Sequence, residues 1–148
     1  MTSKCKGNIG EMAVAKDLMQ QGYSVFTELG DSCRTDLIAI VDNKPIKIQV
    51  KAGIEKGGCI GISTFKAGKA GYSYTYTSDD CDVFAVYNLN RDIVSYVGWD
   101  YIKENSNGGF GIRYTPPKNN QMNKVHMFNK FEDFKQHLGT LIGKRPDC

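Results

Sequence analysis

Between residues 36 and 53 the chain reads DLIAIVDNKPIKIQVKAG, two apolar runs on either side of the turn-forming residues DNKP. Two strands joined by a short turn are the arrangement this pattern favours, and the second strand alternates strictly. Ile46, Ile48 and Val50 fall on one face of a sheet, and Lys47, Gln49 and Lys51 on the other. The first run is apolar almost throughout, as a strand covered on both faces is. Neighbours of so apolar a strand rarely show water a bare polar face, which singles out Asp36, Gln49 and Lys51.

The elements around this pair follow from periodicity. Ile9, Met12, Ala13, Val14, Leu18 and Met19 recur at helical spacing ahead of Gly22, which predicts a helix over 9–21 with Glu11 in its first turns. YSVFTEL reads as a short strand and GDSCRT as a loop. GGCIGISTF is expected to continue the sheet, and KAGKAGYSYTYTSDD to include an exposed loop. DVFAVYNLNRDIVSYVGW is a second hairpin, followed by a short helical turn over 99–104. NSNGGFGIRYTPPKNNQMNKV reads as irregular, and Phe128, Phe131, Phe134 and Leu138 stand at helical spacing. At 148 residues the expectation is a single domain, with a core over about 6–100 and an extension over 101–148 for DNA binding or oligomerisation.

Composition narrows the class. A hydrophobic share of 41% and a charged share of 24% suit an ordinary soluble globular chain, and no apolar run approaches the roughly 18–20 residues of a membrane span. A cytoplasmic location is expected, with Cys5, Cys33, Cys59, Cys81 and Cys148 reduced; they show no metal-ligand spacing. The net charge of +3 does not by itself announce a nucleic-acid partner, but its distribution is uneven. Lys44, Lys47, Lys51, Lys56, Lys66 and Lys69 precede Tyr72, Tyr74 and Tyr76, against Glu55 alone; Asp79, Asp80, Asp82 and Asp92 then reverse the sign. That juxtaposition suits a phosphate-facing surface beside a metal site, and equally a solvated face.

Helix with Glu11, strand, strand opening at Asp36, strand carrying Gln49 and Lys51: this order gathers polar groups at one edge of an apolar sheet. A carboxylate and an amide oxygen are hard ligands of the kind Mg²⁺ accepts, with waters and substrate phosphate completing its shell. Such an ion lowers the pKa of a water and shields charge on phosphate, while a lysine orients the water or stabilises the anion. The plainer reading stands beside it. Asp36 would cap a strand end, Gln49 and Lys51 would be the wet face of a hairpin, and Glu11 would favour a helix N-terminus.

The ordered set GNIGE, TDLIAI and IKIQVKAG resembles the PD-(D/E)XK nuclease superfamily, at Glu11, Asp36, Gln49 and Lys51. With QVK in place of an acid-x-lysine, and YTSDDCDVFAVY further on, it is similar to the branch containing group I intron-encoded homing endonucleases. The resemblance implies an α/β fold with a restriction-endonuclease-like core, a central mixed sheet flanked by helices. It further implies Mg²⁺-dependent hydrolysis of double-stranded DNA, Mn²⁺ being able to substitute, by a homodimer or homotetramer. By position, Asp36 would ligate the metal directly, Gln49 through its carbonyl oxygen, and Glu11 in an outer shell or at a second ion. Lys51 would orient water or stabilise charge. Thr35 stands where the family's proline would, and Gln49 removes one negative charge, so weaker metal affinity is expected.

Recognition of a long site needs strands or loops in the grooves, repeated by symmetry. Lys56, Lys66, Lys69 and Tyr72, with Arg113 and Lys118, are the candidate DNA contacts, the lysines for phosphate and Arg113 for a base. A Holliday-junction resolvase or restriction enzyme shares the same core. A catalytically silent DNA-binding protein of the same fold is the further alternative, and Gln49 is the residue that raises it.

Overall fold

The structure, a computed structural model, describes residues 1–30, 32–67, 73–106 and 109–138, with the backbone alone at 65–67 and 73–74. A five-stranded sheet is built from β1 (Ser24–Thr27), β2 (Leu37–Val41), β3 (Lys44–Gly53), β7 (Val83–Asn88) and β8 (Ile93–Gly98), in that spatial order. β3 and β7 run parallel and the other neighbours are antiparallel, so the sheet is mixed. A parallel pair requires a long crossover. Here it carries β4 (Cys59–Ile62), β5 (Phe65–Ala67) and β6 (Ser73–Thr75).

The β2–β3 hairpin turns at Asp42 and Asn43, both with positive φ (50° and 62°), the conformation that Asp and Asn tolerate and that suits a tight two-residue turn. This turn pairs Leu37 with Ile48 and Ala39 with Ile46, sending Ile46, Ile48 and Val50 to one face as the alternation requires. On that face lies α1 (Ser3–Gln20), whose Val14 and Leu18 are fully buried against β2 and β3. Each such side chain contributes about 1.5–3 kcal/mol on burial. Gly10 sets the approach of helix to strand. A Cβ there would stand 2.7 Å from that of Ala52 and 3.3 Å from a Val50 methyl.

The opposite face carries a second core of Phe84, Val86, Val97, Trp99 and Ile102, covered by α2 (Trp99–Asn105) and by β4 paired with β9 (Phe110–Arg113). β7, between β3 and β8, is buried on both sides along its whole length.

Several expectations are corrected. α1 starts at Ser3, because Thr2 caps it by accepting from the Cys5 N–H at 3.2 Å, so Glu11 lies in mid-helix and has no role at a helix N-terminus. β2 alternates between buried and half-buried residues instead of being equally covered on both sides. β4 leaves the main sheet to pair with β9, which arises inside the stretch read as irregular. Over 128–138 the chain forms two 3₁₀ turns, Phe128–Lys130 and Lys135–Leu138, in place of one helix. The reason is that Phe131 fills the α2-side core while Phe134 and Leu138 fill the α1-side core. One helical face cannot serve both sides of a sheet. Instead the segment wraps around the outer strand, where Tyr96 donates its N–H to the Phe131 carbonyl at 2.6 Å.

Candidate active site

At the open end of the β2–β3 hairpin the Asp36 N–H still bonds the Ile48 carbonyl at 3.1 Å, which holds the aspartate against β3. Its Oδ2 then accepts two hydrogen bonds, from the Val50 N–H at 2.7 Å and from the Gln49 side-chain Nε2. Only the nitrogen end of the amide can face a carboxylate, which fixes the orientation of Gln49. Among the described residues its carbonyl oxygen Oε1 consequently has no hydrogen-bond partner, and it is buried in a residue only 6% exposed. A buried acceptor left unpaired costs about 1–3 kcal/mol, and native structures carry few of them. The wet-face reading of Gln49 is thereby excluded.

Lys51 lies two residues further along β3 and, like Gln49, shares the face of its partners in β7, Phe84 and Val86. Its Nζ is 3.4 Å from the Tyr76 hydroxyl and 4.8 Å from the centre of that ring. Behind them sits Cys81, wholly buried, whose thiol is pushed up to about 12, chiefly by desolvation. The wall behind the two polar residues is dry.

Glu11 comes from the other layer. α1 packs on the Ile48 and Val50 face of the sheet and carries Glu11 in its middle. Glu11 lines a groove with Met12, Phe26, Thr27 and Leu37, and the last three of these also wall the adjoining hollow that contains Asp36. Asp36 and Gln49 are thus in contact, Lys51 lies on the Gln49 face, and Glu11 borders the site from the α1 side.

Among the described residues no three His, Cys, Asp or Glu side chains gather as a metal cage. The donor set is one carboxylate and one unpartnered amide oxygen. Two hard oxygens suit a divalent cation that keeps waters or takes ligands from substrate, and the orphaned Oε1 is what such an ion would satisfy. The residues present therefore fit the group, one charge short of an all-carboxylate pair.

The acidic run next door serves the fold. Asp82 accepts the Lys47 N–H at 2.9 Å, and Asp80 accepts the Thr77 N–H at 3.0 Å and lies 3.7 Å from Arg34. Of the candidate DNA contacts, Lys56 and Lys118 are exposed. The Arg113 guanidinium bonds the carbonyls of Thr115 at 3.1 Å and Gly57 at 3.0 Å, tying the turn before β4 to the end of β9. Lys69 and Tyr72 lie outside the described residues, as does the side chain of Lys66. Two site features escaped sequence reasoning: Gly10, adjacent to Glu11 in GNIGE, and the contact of Tyr76 with Lys51. The signal for the first lies in the sequence itself, a glycine inside a helical pattern, which marks close packing.

The chain belongs to the PD-(D/E)XK endonuclease family, whose pattern it matches over residues 1–134, well past the stretch that carried the sequence resemblance. Among solved structures it is similar to a bacterial homing endonuclease, I-Ssp6803I, with a TM-score of 0.74 and 18% identity over 99% of this chain and 100% of that one. No curated protein matches its sequence. The five-stranded mixed sheet between helices is accordingly a restriction-endonuclease-like core, and the chain is an endonuclease by family. Among the described residues no helix is long and apolar enough to cross a membrane.

Proposed function

We propose that this endonuclease hydrolyses phosphodiester bonds of double-stranded DNA with a divalent cation, Mg²⁺ or in its place Mn²⁺, at a long specific site, as a homing endonuclease. The observation that carries the reading is the Asp36–Gln49 pair with the buried, unpartnered Gln49 Oε1. Asp36 and Gln49 Oε1 would hold the cation, and Glu11 would stand in its outer shell or beside a second ion. When bound, the cation supplies positive charge to the scissile phosphate and makes a water acidic enough to attack near neutral pH.

The chain's own residues set the geometry. Hydrogen bonds from β3 hold the Asp36 carboxylate, so little reorganisation is needed when substrate arrives. Lys51, on the Gln49 face, orients the attacking water or stabilises the phosphate anion. The dry wall of Cys81 and Phe84 behind them strengthens these charge interactions. Lys56, Lys66, Lys69, Tyr72 and Lys118 are proposed to follow the phosphates. Arg113 would first have to exchange its bonds to Thr115 and Gly57 in order to read a base.

Cutting both strands of a duplex favours a two-fold arrangement of two sites, hence a homodimer or homotetramer. Supercoiled plasmid bearing the uninterrupted version of the sequence that flanks the gene is the test substrate. Linear product with Mg²⁺ is expected; preference for a four-way junction would indicate a resolvase. Salt-dependent DNA binding without any cutting would indicate a silent binder of the same fold.

A further inference from the structure

A lysine that must act on a reacting phosphate has a problem of its own. Its ammonium ends a flexible four-carbon stem, and rotamer entropy opposes any single pose. A group from outside the β2–β3 hairpin meets the Lys51 Nζ. Tyr76 presents its hydroxyl at 3.4 Å and its ring centre at 4.8 Å, so the ammonium meets both a lone pair and an aromatic face.

The tyrosine is itself firmly held. It is 2% exposed, its ring stands edge-on to Phe84 at 5.6 Å and 88°, and Phe84 packs on Trp99 at 5.7 Å. Phe84 is also the β7 partner of Gln49 in the strand register. One rigid aromatic wall thus stands behind both the amide and the lysine. The Tyr76 N–H bonds the Thr64 carbonyl at 3.0 Å, closing the base of the β5–β6 ribbon.

We propose that Tyr76 is a positioning residue: through its hydroxyl and ring it fixes the Lys51 ammonium on the Asp36–Gln49 side of β3. The proposal rests on the nuclease reading above. Tyr76 does not touch the reacting atoms; it acts through Lys51. Because it orders a group needed in the transition state and not for holding DNA, its loss lowers kcat and leaves KM unchanged.

Two readouts on the full chain test this separately. In the carbon-13 NMR spectrum the Lys51 ε-methylene, assigned by its loss in Lys51→Arg, is expected upfield of the other lysines through the ring current. Tyr76→Phe should keep that displacement and Tyr76→Leu abolish it. In cleavage assays kcat is expected to fall about 3-fold in Tyr76→Phe and about 10-fold or more in Tyr76→Leu, with KM unchanged. An unshifted Lys51 signal in wild type, or kcat within two-fold of wild type in both variants, overturns the proposal. Should Tyr76→Leu fail to fold, Tyr76→Phe decides: kcat within two-fold of wild type overturns the proposal. A wild type inert on its duplex overturns the nuclease reading instead, and the contact then stands or falls on the spectrum.

Discussion

Gln49 donates its side-chain N–H to the Asp36 carboxylate across the open end of the β2–β3 hairpin, and its own carbonyl oxygen is left buried without a partner among the described residues. A purely structural glutamine at this position would satisfy both ends of its amide. This one satisfies the nitrogen end alone, and does so by tying down the carboxylate beside it.

Replacing Gln49 with glutamate removes that donor and sets a second negative charge against Asp36. Gln49→Glu should therefore lose about 1–3 kcal/mol of stability at neutral pH in chelator, and regain it as millimolar Mn²⁺ is added. Thermal unfolding with and without the ion checks this. Calorimetric titration should show tighter Mn²⁺ binding than in the parent protein.

Gly10 allows α1 to lie close on β3 immediately beyond Lys51. Gly10→Val places methyl groups where Ala52 and Val50 already stand, and overpacking of this kind costs about 1–3 kcal/mol. Urea unfolding measures it. Since the helix that carries Glu11 is then pushed off the strand that carries Gln49, cleavage should fall by more than the stability loss alone explains.

The buried Cys81 thiol gives a signature in alkali. Desolvation raises it from 9.0 to about 12, so the folded state holds this proton more tightly than the unfolded chain does. Its contribution is full below pH 9 and drains away as the pH climbs toward 12. The buried phenol of Tyr96 is displaced in the same direction, mainly by desolvation and then by its hydrogen bond to Asp17. Between pH 8 and pH 10.5 the Cys81→Ala variant should lose about 1–2 kcal/mol less stability than the parent, by urea midpoint. Native protein should show fast thiol modification at the exposed Cys5 and Cys33 and none at Cys81.

The hairpin was the most legible part of the sequence, because both its turn residues and its two-residue alternation are local. Asp42 and Asn43 announce the turn, and the alternation alone puts Gln49 and Lys51 on one face. Contact between Asp36 and Gln49 follows from that register. What could not be read is which layer each element joins. The parallel pairing of β3 with β7 spans the whole crossover, and nothing in GNIGE reveals that the helix carrying Glu11 packs on the sheet face opposite the one Gln49 shares with Phe84. The C-terminal segment misleads for a related reason: Phe131, Phe134 and Leu138 have the spacing of a helix stripe yet belong to two cores. Periodicity reports a face only when a segment has a single partner.

The central claim is that Asp36 and Gln49 form a working cation site in a DNA endonuclease. The most direct measurement is sequencing of cut ends after incubation of a randomised duplex library with parent protein or with Asp36→Asn, each in Mg²⁺ and in chelator. Asp36→Asn keeps the shape of the side chain and an oxygen to accept the Val50 N–H, so folding is preserved. The account predicts cut ends sharing one long sequence for the parent in Mg²⁺, and background levels in chelator and for the variant. Equal cutting by Asp36→Asn, or cutting by the parent that persists in chelator, would contradict it.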